Sequence, residues 1–97
     1  MLKTHNFGYL DLSFTEVTDK CVSKLVNIHT LNLRNTKVTD KAVSKLVNVH
    51  TLDLTDTDIT EKVLVKLINA RVIYVIDMDI SDECIQKMRS NGCIVYV

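Results

Sequence analysis

The chain repeats itself every 21 residues, and that period constrains its fold more than any single side chain does. Residues 9–29 read YLDLSFTEVTDKCVSKLVNIH, residues 30–50 read TLNLRNTKVTDKAVSKLVNVH, and residues 51–71 read TLDLTDTDITEKVLVKLINAR. Residues 72–92, VIYVIDMDISDECIQKMRSNG, keep the apolar positions after most letters have changed, and residues 93–97 start a fifth copy. A fixed period of this size marks a solenoid, in which each unit buries its apolar side only against its neighbours. Such units have no separate cores, so residues 1–97 form one domain: a partial copy at 1–8, full copies at 9–29, 30–50, 51–71 and 72–92, and a terminal strand at 93–97.

Within each copy the first stretch alternates. Leu10 and Leu12, Leu31 and Leu33, Leu52 and Leu54, and Ile73 and Val75 are apolar with a non-core residue between them. Period 2 puts these pairs on one face of a short strand and the intervening residues on the other. The expected strands are 9–13, 30–34, 51–55, 72–76 and 93–97. A further apolar residue, at Val17, Val38, Ile59 and Ile80, precedes Thr18-Asp19, Thr39-Asp40, Thr60-Glu61 and Ser81-Asp82. A hydroxyl that accepts from free backbone N–H groups, then an acid favoured by the helix dipole, signals a helix start. Apolar pairs at helical spacing follow, from Val22 and Leu25 to Ile85 and Met88. Small residues at 21, 42, 63 and 84 face the adjacent coil, and Asn27, Asn48, Asn69 and Ser90 are expected to close the helices.

This pattern resembles the leucine-rich repeat family in a short form. The phrase LxLxxTx[VI]TDxx[VL]xxL stands within Leu25–Leu46, and the resemblance covers nearly the whole chain. The Thr-Asp cap is similar to repeats of F-box-type and bacterial-effector proteins, and the [IV]HT-L-[ND]-L phrase to giant-virus repeat proteins. No F-box sequence accompanies it, so adaptor function is not carried over. The resemblance implies an α/β fold: a right-handed solenoid with a parallel sheet of about five strands on the concave side and short helices on the convex side. Thr15, Thr36 and Thr57 stand where the family often has Asn or Cys in a ladder, and Met78 departs from both.

Charge and composition exclude several function classes. Twelve basic and twelve acidic residues cancel, which argues against a basic nucleic-acid binder or a polybasic membrane-surface protein. The apolar runs are too short to span a membrane, and the first residues lack the apolar core of a signal peptide. Cys21, Cys84 and Cys93 are odd in number and lack CxxC spacing, so each reads as a small buried apolar residue. An intracellular, cytoplasmic setting is expected.

Outward strand positions form three columns: Tyr9/Thr30/Thr51/Val72/Cys93, Asp11/Asn32/Asp53/Tyr74/Val95 and Ser13/Arg34/Thr55/Ile76/Val97. Their first three rows are polar and the last two apolar, a pattern suited to protein binding. The candidate partner-binding residues are Asp11, Asn32, Arg34, Asp53, Thr55, Tyr74 and Ile76. Asp56, Asp58, Asp77 and Asp79 lie in register but lack a full ligand set and glycine turn for Ca²⁺, so they read as a solvated acidic loop. His29 and His50 stack by register without a third ligand. Lys24, Lys45, Lys66 and Lys87 share the helix face with Asp19, Asp40, Glu61 and Asp82 and read as solvated. No catalytic grouping or cofactor motif can be built, and no metal site is expected. The reading is a non-enzymatic protein-binding module. The alternative is a self-assembling repeat protein. Identity between successive copies falls from fourteen of 21 letters to nine and then four, whereas the N-terminal copy looks like an interior unit, with Phe7 at a core position. Strands 9–13 and 93–97 therefore present open edges, and Tyr9, Val95 and Val97 are the self-association candidates in a homo-oligomer.

Overall fold

A computed structural model describes residues 7–25 and 27–97, with the side chain of Phe7 outside the description. The expected core role of Phe7, and the match of Lys3 and Asn6 to the next coil, lie outside the described residues. Strands and helices alternate: β1 (Phe7–Asp11), α1 (Asp19–Val22), β2 (Ile28–Asn32), α2 (Asp40–Val43), β3 (Thr51–Asp53), α3 (Glu61–Leu64), β4 (Val72–Tyr74), α4 (Asp82–Ser90) and β5 (Ile94–Tyr96). The strands form one parallel sheet in chain order, β1-β2-β3-β4-β5. This is an α/β repeat solenoid with an open sheet.

The leucine pairs define the core. Leu31, Leu33, Leu52, Leu54, Ile73 and Val75 have no exposed surface, and Val22, Val38, Ala42 and Val43 close over them from the helix side. Leu10, Leu12, Val17, Leu25 and Ile28 of the first coil are only partly buried. A residue between two coils is covered on both sides, and one in the first described coil mostly on one side, Val22 being the fully buried exception. Cys21 follows the same rule: expected to be buried, it is exposed, while Cys84 and Cys93 are buried.

Every helix begins where the Thr/Ser-acid pair places it. Three end sooner than expected. α1, α2 and α3 are four residues long, with C-caps at Ser23, Ser44 and Val65 rather than at the expected asparagines. The return then tightens into i→i−3 bonds, such as Leu46 N–H to Val43 and Leu67 N–H to Leu64. A coil of this length has no room for a longer helix and still reaches the next strand. Only α4 runs to Ser90.

That longer helix changes the register of the fifth strand. Through β4 the pairing keeps the 21-residue step, Tyr9 to Thr30 to Thr51 to Val72. Val72 then pairs with Ile94, and Tyr74 with Tyr96, one residue later than expected. The extra residue is absorbed in the Asn91-Gly92 turn, where Gly92 has φ +89. A Cβ there would sit 2.8 Å from Nη1 of Arg71, so glycine also makes room for that side chain. A one-residue slip flips every side chain to the other face. Val95, expected outward, is buried at 4%, Cys93 is buried with it, and Ile94 and Tyr96 face out. The solvent-facing pairing of Val95 with Asp53 and Tyr74 is thereby corrected.

Candidate interaction surface

The outer face of the sheet carries two strand columns, Tyr9/Thr30/Thr51/Val72/Ile94 and Asp11/Asn32/Asp53/Tyr74/Tyr96. Three rows are polar and two apolar, as the alternation predicts, with Ile94 and Tyr96 in place of Cys93 and Val95. The Tyr74 and Tyr96 rings stack with centroids 4.7 Å apart and planes 13° from parallel. With Val72 beside them, Ile94 55% exposed and Tyr96 46% exposed, they make one continuous apolar patch at one end of the face.

The polar column has local work that the alternation does not reveal. Oδ1 of Asp11 accepts the Ser13 hydroxyl at 2.6 Å and the Ser13 N–H at 2.9 Å. Those two bonds hold the Asp11 carboxyl below the usual carboxylate range. Asn32 accepts the Arg34 N–H and Asp53 the Thr55 N–H, each at 3.0 Å. These Asx turns carry the chain out of β1, β2 and β3, which stop at 11, 32 and 53, two residues before the expected ends; β4 stops equally early, at Tyr74 rather than 76, without one. Tyr74 cannot make such a turn. The Ile76 N–H instead donates to the Thr55 hydroxyl of the preceding coil, at 3.1 Å. Thr55 is consequently 4% exposed, and its expected place among the partner-binding residues is corrected. Asp11 and Arg34 are exposed, and Asn32, Asp53, Tyr74 and Ile76 half-buried. Arg34 and Ile76 border a cleft of about 230 Å³ with Asp56, Asp77 and Met78.

A left-handed residue follows each strand exit: Phe14 at φ 59, Asn35 at 56, Asp56 at 61 and Asp77 at 57. Asn and Asp tolerate this conformation and Phe does not. The aspartates thus occupy turn positions. The hydroxyls of Thr15, Thr36 and Thr57 close the same turns onto Leu12, Leu33 and Leu54 at 2.6–2.7 Å. They bond within their own coil.

A ladder between coils exists on the helix side. The carboxylate of Asp19 accepts the Thr39 N–H at 2.8 Å and its hydroxyl at 2.6 Å. Asp40 accepts the same two groups of Thr60, and Glu61 those of Ser81 at 2.7 and 2.8 Å. Burial raises the Asp19 carboxyl, but the Thr39 bonds, the Ala42 backbone and the nearby Lys41 charge outweigh it and leave it lowered. The donated hydroxyl proton aims an oxygen lone pair at the helix, so Thr39, Thr60 and Ser81 accept from Lys41, Lys62 and Cys84. Thr18 makes no side-chain cap bond, contrary to expectation. Among the described residues it has no acid of a preceding coil to orient it. Acid at one position and hydroxyl 20 residues later was the sequence signal for this ladder.

His29 and His50 stack at 4.4 Å, each Nδ1 within 2.9 Å of the next threonine hydroxyl. Below them Arg71 donates to Asn91 and Ile68 carbonyls at 3.0 Å and ties α4 to the third coil. Among the described residues no three His, Cys, Asp or Glu side chains converge as a metal site, and no helix is long and apolar enough to cross a membrane.

The family model described as Leucine Rich repeat matches residues 24–47, the end of the first coil and most of the second. No curated protein matches the chain.

Proposed function

The chain is a leucine-rich repeat protein, and from that premise we propose a non-enzymatic binding module that holds a protein partner on the outer, concave face of its sheet. The observation that carries this reading is the stacked Tyr74–Tyr96 pair, with Val72 and Ile94, beside three polar rows. An apolar centre with a polar rim is how protein interfaces are built, and Tyr and Arg are the side chains that most often dominate them. Tyr74 and Tyr96 serve as anchors, Arg34 and Ile76 flank them, and Asp11, Asn32 and Asp53 form the rim. The rim oxygens are pre-positioned by their turns and lose little freedom on binding. A reducing compartment suits the protein, because Cys21 is a free thiol open to solvent.

The test is selection of peptide ligands from a displayed library on the intact chain, then affinity measurement against Tyr74→Ala/Tyr96→Ala and against Lys45→Glu on the helix face. Loss of roughly tenfold or more is expected for the tyrosine variant, since each anchor is worth about 1–2 kcal/mol or above. Ligands that bind this variant normally and fail on Lys45→Glu would sink the reading.

A further inference from the structure

The register determines which backbone groups of β5 face outward from the sheet edge. In each coil the inward-facing residues bond onward: Leu12, Leu33, Leu54 and Val75 donate N–H to Asn32, Asp53, Tyr74 and Tyr96 of the following coil, at 2.9 Å each. The outward-facing residues bond back, as Ile94 N–H does to the Arg71 carbonyl at 2.8 Å. Val95 is inward-facing, so its carbonyl points away from β4, to the place where another strand would pair. That carbonyl is occupied. Nη2 of Arg89, on the last turn of α4, donates to it at 2.8 Å in a part-buried contact.

Arg89 differs from its counterparts. One and two periods earlier the positions hold Ile68 and Val47, both apolar and exposed. The four-residue helices before those positions stop well short of them, whereas α4 continues through Arg89. The segment it covers needs covering. The side chains of residues 93–97, Cys-Ile-Val-Tyr-Val, carry no charge and include no proline, and Ile94, Tyr96 and Val97 are exposed. Short apolar segments of this kind pair with copies of themselves through their free backbone groups. The expectation that strand 93–97 presents an open edge is therefore corrected: a charge from the helix lies on it.

We propose that Arg89 closes the β5 edge against a second copy of this chain, and that without it two β5 strands pair edge to edge. The occupant is a second copy because the edge is self-complementary: an uncharged strand meets its own equivalent across a two-fold axis, the commonest closed assembly. A guanidinium at the edge opposes that pairing in two ways. It takes the acceptor, and it places a charge that a partner strand would have to bury. This inference is independent of the outer-face reading, since it concerns backbone groups in the plane of the sheet.

The experiment is sedimentation equilibrium of the intact chain across a concentration series, with amide hydrogen exchange read at Val95. The unaltered protein keeps its monomer mass and a fast-exchanging Val95 amide. Arg89→Ala gives a mass rising about twofold with concentration, and its Val95 amide becomes protected. Arg89→Gln, which keeps part of the stem, gives the same two readings if circular dichroism shows the alanine variant unfolded. A folded variant that stays monomeric overturns the proposal. So does association that leaves Val95 exchange unchanged, and so does an unaltered chain that already dimerises with that amide protected.

Discussion

Replacing Leu52 and Leu10 by alanine, one at a time, removes the same three carbon groups from equivalent positions of two coils. Leu52 has no exposed surface and lies between Leu31 and Ile73 in register. At about 0.8 kcal/mol per buried carbon group the transfer loss is ~2.4 kcal/mol. A cavity enclosed by coils on both sides raises it to about 3–4 kcal/mol, inside the usual range for buried leucine. Leu10 is only partly buried in the first described coil. Water fills the gap, and the cost falls to about 1 kcal/mol. A domain of this size has roughly 5–15 kcal/mol of stability, so both variants are expected to fold in part or whole. At about 4–8 °C per kcal/mol, thermal midpoints by circular dichroism separate by roughly 10 °C or more. Urea midpoints should rank the same way. Equal losses at the two sites would refute the argument that a coil's stability comes from neighbours on both sides.

Three further outcomes are expected. Phe14→Asn should raise stability by about 1 kcal/mol, because Phe14 is 68% exposed and held at φ 59; a lower thermal midpoint would mean that the ring is needed where it lies. Thr55→Val should cost about 1–3 kcal/mol in urea unfolding by leaving the Ile76 N–H without its acceptor; adding Tyr74→Asn should recover part of it by restoring an Asx turn. The Asp19 carboxyl is lowered on folding from 3.8, so its contribution is present above that pH and lost as pH falls through the lower folded value. Asp19→Ala should accordingly destabilise the protein at neutral pH and make its urea midpoint less sensitive to acid below 3.8; an acid limb as steep as in the unaltered chain would contradict this.

The period, the leucine alternation and the helix starts were legible because each is a local pattern repeated several times. What the sequence hid depends on lengths and on backbone groups. Ser90 and Gly92 mark the end of α4 in the sequence, but nothing there announces that the three earlier helices stop sooner or that the longer α4 and the left-handed Gly92 shift β5 by one residue and exchange Val95 for Tyr96 on the outer face. Thr55 reads as an outward strand residue, and nothing local shows that its hydroxyl is taken by the Ile76 N–H of the next coil. The contact of Arg89 with Val95 lies six residues apart in the chain and still needs the helix end, the turn and the register all placed. The acid-to-hydroxyl ladder, by contrast, could have been found, since Asp19/Thr39, Asp40/Thr60 and Glu61/Ser81 repeat at one spacing.

The most direct test of the binding account is a backbone hydrogen-exchange footprint of a selected peptide ligand at saturation. Binding to the outer face should slow exchange in β3, β4 and β5 around Asp53, Tyr74 and Tyr96, and leave α2 and α3 unchanged. A footprint confined to the helices, with those strands unaffected, would contradict it.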